Sequence, residues 1–190
     1  MTPPPTGGAT DEERLTITLA AFECVARLGF EGLRRKHVAA EAGIDNAELE
    51  RLYPAERDLV AHVLDYVTRQ FWGTMAAAGS PADRLHHHLD SLSRMISERP
   101  VLFLVLAELE VRAPHDPLVR TVIERDERGW RDALSSLFRD GFELGTWAPG
   151  VTEEGAVDLV VAAIKGVRLA PLRASTTLAQ LEQVLLRERR

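Results

Sequence analysis

Cysteine occurs once in the chain, at Cys24. No intramolecular disulfide can form, no all-cysteine metal site can be built, and a reducing, cytoplasmic setting is the expectation. Long apolar runs are missing as well. The longest, Val101 to Ala107, falls far short of the ~20 apolar residues that cross a bilayer, so no membrane span is expected. Basic residues are outnumbered, 23 Lys and Arg against 29 Asp and Glu, for a net charge of -6. That excludes a uniformly basic nucleic-acid coat and leaves open a local patch on a dimer. Also absent are a Ser-His-Asp order with a nucleophile elbow, a Gly-rich phosphate loop and a two-His helix motif for zinc. The sequence therefore reads as a non-enzyme that needs no cofactor.

What is there is helical signal along the chain, with 45% hydrophobic residues in 190, enough to bury a real core. Residues 1–10, MTPPPTGGAT, read as a disordered arm, and Asp11, Glu12 and Glu13 oppose the basic start of a secretory signal. Thr10 and Glu13 form a capping-box pattern, after which Leu15, Leu19, Phe22, Val25 and Ala26 recur at helical spacing until Gly29. A short second helix is predicted over Arg35 to Ala42, with Gly43 as the left-handed turn residue. Asp45 caps a third, with Glu48 at the reciprocal position, before Tyr53-Pro54 ends it.

Downstream, Ser80-Pro81 with Asp83, Asp116-Pro117, and Thr152 with Glu153 and Glu154 each place a capping residue before an apolar-periodic stretch. Pro54, Pro100 and the segment 145–150 separate the rest, giving helices over 55–77, 81–97, 100–112, 117–144, 152–170 and 177–188. No stretch alternates as a strand does. The expectation is an all-α fold of about nine helices, with a domain over 11–54 and a larger one over 55–190.

Gly29-Phe30-Glu31-Gly32, then Val38 to Asp45, then Leu49, Tyr53-Pro54 and Leu59 resemble the N-terminal signature of the tetracycline-repressor (TetR) family of transcriptional regulators. The resemblance covers roughly 45 residues. It implies a helix-turn-helix whose third helix enters the major groove of a palindromic double-stranded operator, a C-terminal domain for a small effector, and a homodimer made by the last two helices. Departures from the family pattern are visible. Leu33 and Arg34 stand where the family has a Thr pair, Glu50 where it has a phosphate-contacting Tyr, and Glu56 where it has Lys. Between Asp11 and Leu59 seven basic residues face eleven acidic ones.

Arg34, Arg35 and Lys36 at the start of the second helix, with Arg51 on the third, are the candidate phosphate contacts, and Asn46 the candidate base reader. A solvated helix start explains Arg34 to Lys36 equally well, and Glu48 has a capping role independent of DNA. In the larger domain Tyr66, Trp72, His88, Leu92, Phe103, Leu106, Trp130 and Leu134 are the candidate lining of a site for a small apolar or aromatic effector, with Met75, Met95 and Phe138 nearby in pattern. A stripe of such residues also makes ordinary core. His86, His87 and His88 point about 100° apart on a helix, so they do not converge on one metal ion, and none is expected.

Val160, Ala163 and Val167, with Leu178, Leu181 and Leu185, form apolar rows on the last two helices and are the candidate dimer contacts. Burial within one chain is the alternative. The function that follows is a ligand-controlled, DNA-binding regulator, most simply a repressor. The alternative keeps the fold as a binding module whose acidic Glu48, Glu50 and Glu56 surface meets a protein partner.

Overall fold

In a computed structural model, which describes residues 10–75 and 78–186, nine α-helices follow one another. They are α1 (Asp11–Leu28), α2 (Arg35–Ala42), α3 (Asn46–Leu52), α4 (Glu56–Trp72), α5 (Pro81–Glu98), α6 (Pro100–Arg112), α7 (Pro117–Glu143), α8 (Glu153–Leu169) and α9 (Ala174–Leu185). The extended pairing among the described residues is one isolated antiparallel bridge, Trp147 to Leu186. The fold is all-α, as the periodicity predicts. The expected arm over residues 1–10 lies outside the described residues except for Thr10, as do the last residues of the helices expected over 55–77 and 177–188.

The helix starts follow from side chains that satisfy first-turn amides. Thr10 Oγ1 accepts the Glu13 N–H at 3.2 Å while the Glu13 carboxylate accepts the Thr10 N–H at 2.7 Å. That bond from the Thr10 backbone, with the Thr10 hydroxyl, holds the Glu13 carboxyl below its ordinary range. Ser80 and Asp83 repeat the arrangement at α5. Asp116 Oδ1 accepts from the Leu118 and Val119 amides at α7, and Thr152 from Gly155 at α8. Each such cap stabilises its helix by roughly 1 kcal/mol. At α9 no side chain caps the start. A 3-10 turn over Pro171–Arg173 leads straight into Ala174, three residues ahead of the expected position.

The chain divides into two compact units, one of residues up to Val67 with Leu104–Ile123, the other of Thr68–Phe103 with the chain from Glu124 onward. In the first, α1 packs on α2 and on the 3-10 turn Phe30–Leu33. Gly32 permits that approach, because a Cβ there would sit 2.2 Å from the Cys24 carbonyl oxygen. The buried face of α1 is Ile17, Ala21, Phe22, Cys24 and Val25, whereas Leu15 and Leu19 of the expected apolar row are exposed. Leu33, Val38, Leu49, Tyr53 and Leu59 complete the core beneath α2 and α3. Arg112, at the end of α6, lies over the Phe30 ring at 4.7 Å, a contact worth ~0.5–1 kcal/mol when exposed.

In the second unit α5 and α8 both pack on α9. The segment after α7 is held to the core by Trp147, whose ring sits 4.8 Å from that of Phe138. Its indole N–H donates to the Phe138 carbonyl at 2.7 Å. A Cβ at Gly141 would meet that indole at 2.3 Å, so glycine is what lets the ring in. The Ala148 amide then donates to the Leu185 carbonyl at 2.9 Å, which ties the same segment to the end of α9.

Candidate functional site

In the first unit a short turn separates α2 from α3. Gly43 adopts φ 70°, ψ 26°, a left-handed conformation that glycine takes without a Cβ penalty. The Ile44 amide returns to the Ala39 carbonyl at 3.1 Å, closing α2. Asp45 then accepts the Glu48 N–H at 2.7 Å and starts α3. These local bonds produce two helices across a three-residue joint, Gly43 to Asp45, the helix-turn-helix geometry expected from the sequence.

The candidate DNA-contacting side chains fall into two groups. Arg34 pairs with Glu31 on its own turn. Arg35 donates to the Pro54 carbonyl and lies 3.7 Å from Glu50 Oε1, with its Nε buried. It therefore ties the start of α2 to the end of α3. Lys36, Asn46 and Arg51 are exposed, Asn46 as the first residue of α3 and Arg51 near its end. The two acidic replacements acquire local explanations. Glu50 is the partner of Arg35, and Glu56 sits in the first turn of α4 with Asp58, where negative charge favours the helix dipole.

The candidate effector residues divide between the units. Tyr66, whose ring meets Phe22 edge-on at 5.4 Å, and the half-buried Leu106 belong to the first. Trp72, His88, Leu92, Phe103, Trp130 and Leu134 belong to the second. There a chain of hydrogen bonds runs through the interior. The Trp130 indole N–H donates to His88 Nε2 at 3.1 Å, His88 Nδ1 is 2.8 Å from Thr74 Oγ1, and Thr74 Oγ1 donates to the Phe71 carbonyl at 2.7 Å. Burial pushes the His88 imidazole down to about 4, so it is neutral near pH 7. Phe71 meets Phe103 edge-on at 5.2 Å, and Trp72 lies against Gly129. Leu92 and Leu134 are fully packed. Phe71 and Thr74 were not legible as members of this cluster, because nothing in the spacing of α4 or of the 3-10 turn Gly73–Met75 after it sets them apart from their neighbours.

The three consecutive histidines have three different surroundings. His86 faces Glu182 on α9 at 3.0 Å, a hydrogen bond that raises its pKa. His87 is exposed beside Ser91, and His88 is buried. Among the described residues no group of three or more His, Cys, Asp or Glu side chains is placed to hold a metal ion. No helix among them is long and apolar enough to cross a membrane.

The expected dimer rows turn inward. Val160 is 0% exposed, Val167, Leu178, Leu181 and Leu185 are buried in the single chain, and Ala163 is half-buried. Val160, Val167, Leu178, Leu181 and Leu185 therefore pack within the chain, while Ala163 keeps part of its surface. The face that α8 presents outward is Gly155, Leu159, Ala162, Gly166 and Leu169, at successive spacings of four and three. Leu169 is 85% and Leu172 97% exposed. The outward residues of α8 were not singled out in the sequence, where the row through Val160, Ala163 and Val167 was the candidate.

The fold is that of TetR-type regulators. The chain is similar to a TetR transcription regulator from Haloarcula marismortui ATCC 43049 (TM-score 0.84, 22% identity, 94% of this chain and 100% of that one). It is similar also to a putative transcriptional regulator from Saccharomonospora viridis in complex with choline (0.79, 15%, 94% and 100%). A third is a transcriptional regulator from Rhodococcus sp. Rha1 (0.77, 21%, 93% and 96%). No protein-family model and no curated protein sequence matches the chain.

Proposed function

We propose that this protein is a homodimeric, DNA-binding transcriptional regulator, a repressor in its simplest form, whose hold on a palindromic operator is set by a small organic effector. The observation that carries the reading is the α2–Gly43–α3 joint with its Asp45 cap, a rigid mount for a helix in the major groove. Lys36 and Arg51 serve phosphate and Asn46 a base edge. Arg34 and Arg35 contribute through their ion pairs with Glu31 and Glu50, which hold the mount and offset its acidity. The likeness in fold to regulators, one of them a choline complex, supports the effector half of the reading, with the second unit as its seat. Dimerisation uses the outward row of α8 from Gly155 to Leu169 with Leu172, because exposed leucines on a helix gain most from pairing by two-fold symmetry.

A second reading rests on Glu48, Glu50 and Glu56, which place acid around α3. It makes the helix-turn-helix a docking face for a basic protein partner. Selection from random duplex pools at low and at physiological salt separates the two, since phosphate-driven affinity falls steeply as counterions compete. Enrichment of a palindrome is the outcome expected. No enrichment at either salt would overturn operator binding and favour the partner-binding module.

A further inference from the structure

Asp126 Oδ2 is buried and has no hydrogen-bond partner, the one such side-chain atom among the described residues of the second unit. Its companion Oδ1 receives only the Nε of Arg125, at 3.2 Å, from a side chain that is 61% exposed. The Asp126 side chain is 17% exposed and its Oδ1 already pairs with Arg125, but a carboxylate oxygen out of water without a donor is costly, so the site gains from a guest that sets positive charge against Oδ2.

The surroundings of Asp126 say what kind of guest. Asp126, Gly129 and Trp130 stand at helical positions i, i+3 and i+4 and share one face of α7. The Trp72 ring lies directly on that face, for a Cβ added at Gly129 would come within 2.9 Å of it. Trp130 is tied to His88, and His88 to Thr74, so these polar groups have used the bonds that a guest would need. Polar recognition is left to the carboxylate and the rest to indole surface. Aromatic faces attract cations, most of all desolvated ones. A lone carboxylate suits no metal ion, which needs several oxygen ligands.

We infer that the face made by Asp126, Trp72 and Trp130 binds an organic cation, an ammonium ion carrying an apolar or aromatic body, with Asp126 as its counter-ion. The inference rests on the effector reading above and narrows it from apolar molecules in general to positively charged ones. Trp72, 40% exposed, is the side chain that moves to admit the ion.

The test uses the full-length chain and two isosteric pairs, (4-hydroxyphenyl)trimethylammonium against 4-tert-butylphenol and phenyltrimethylammonium against tert-butylbenzene, read by calorimetry and tryptophan fluorescence. The ammonium member is expected to bind about tenfold or more tightly than its neutral twin. Asp126→Asn should bring the ratio close to one and leave the neutral twin's affinity within about twofold. Trp72→Leu, at a half-open position, should lower the ratio independently and decides the matter if the Asp126 variant does not fold. Equal binding of the twins, or a ratio untouched by both substitutions, overturns the cation. Binding of the neutral twins alone does so while leaving the effector reading intact, and silence from all four compounds counts against both.

Discussion

Trp130 and His88 are joined by an indole N–H aimed at Nε2, over 3.1 Å, and this one bond settles where the imidazole keeps its proton. Indole nitrogen only donates, so Nε2 must accept and Nδ1 must carry the hydrogen, which it gives to Thr74. A second proton has nowhere to go without expelling Trp130.

Acid should therefore destabilise the fold through His88. Burial lowers its pKa from 6.5 to about 4. Within that window the unfolded chain binds a proton that the folded chain refuses, so stability is full above it and declines as the pH falls, by roughly 1.4 kcal/mol per pH unit. His86 acts in the opposite sense. Its pKa is raised by Glu182, so its small, solvent-screened contribution is present at low pH and fades as pH rises past its raised value. Urea midpoints between pH 4 and 7 should slope in the wild type and flatten in His88→Gln; equal slopes would remove His88 as the cause.

Arg35 and Lys36 are neighbours in sequence and should behave as opposites. Arg35→Ala should lower the melting temperature, because it releases the Pro54 carbonyl and Glu50, while leaving the salt slope of DNA binding nearly unchanged. Lys36→Ala should leave stability within about 0.5 kcal/mol and reduce that slope by about 0.9, one phosphate contact. The reverse pattern would make Arg35 the phosphate ligand.

Leucines on α8 and α9 divide in the same way. Leu159→Glu, on the outward row, should yield a folded monomer by light scattering with unchanged helical circular dichroism. Leu181→Glu buries an unpaired charge and should cost several kcal/mol and the fold itself. A dimeric Leu159→Glu would move the interface elsewhere.

Much of this architecture could be read before any coordinates. Capping pairs such as Thr10 with Glu13 and Ser80 with Asp83 announce helix starts because the side chain and its target amide are three residues apart, a relation that sequence displays directly. The Gly43 turn is legible for the same reason. What was not legible depends on distance in the chain. The Arg35 pairing with Glu50, the Thr74 link to His88 and the inward turn of Val160 are decided by which faces meet, and α8 carries leucines on its outward side as well. Asp126 went unnoticed because an aspartate amid charged neighbours looks solvated until one of its two oxygens is seen to be buried.

The stretch between α7 and α8 has one more consequence. Connections of this length, carrying two glycines and a proline, are the places where proteases nick a chain and engineers insert tags. Here the Trp147 indole bonds the Phe138 carbonyl within α7 while the Ala148 amide closes the end of α9. The segment is thus bonded to two helices, and a cut or an insertion between Thr146 and Ala148 should disturb α7 and α9 together rather than merely lengthen a loop.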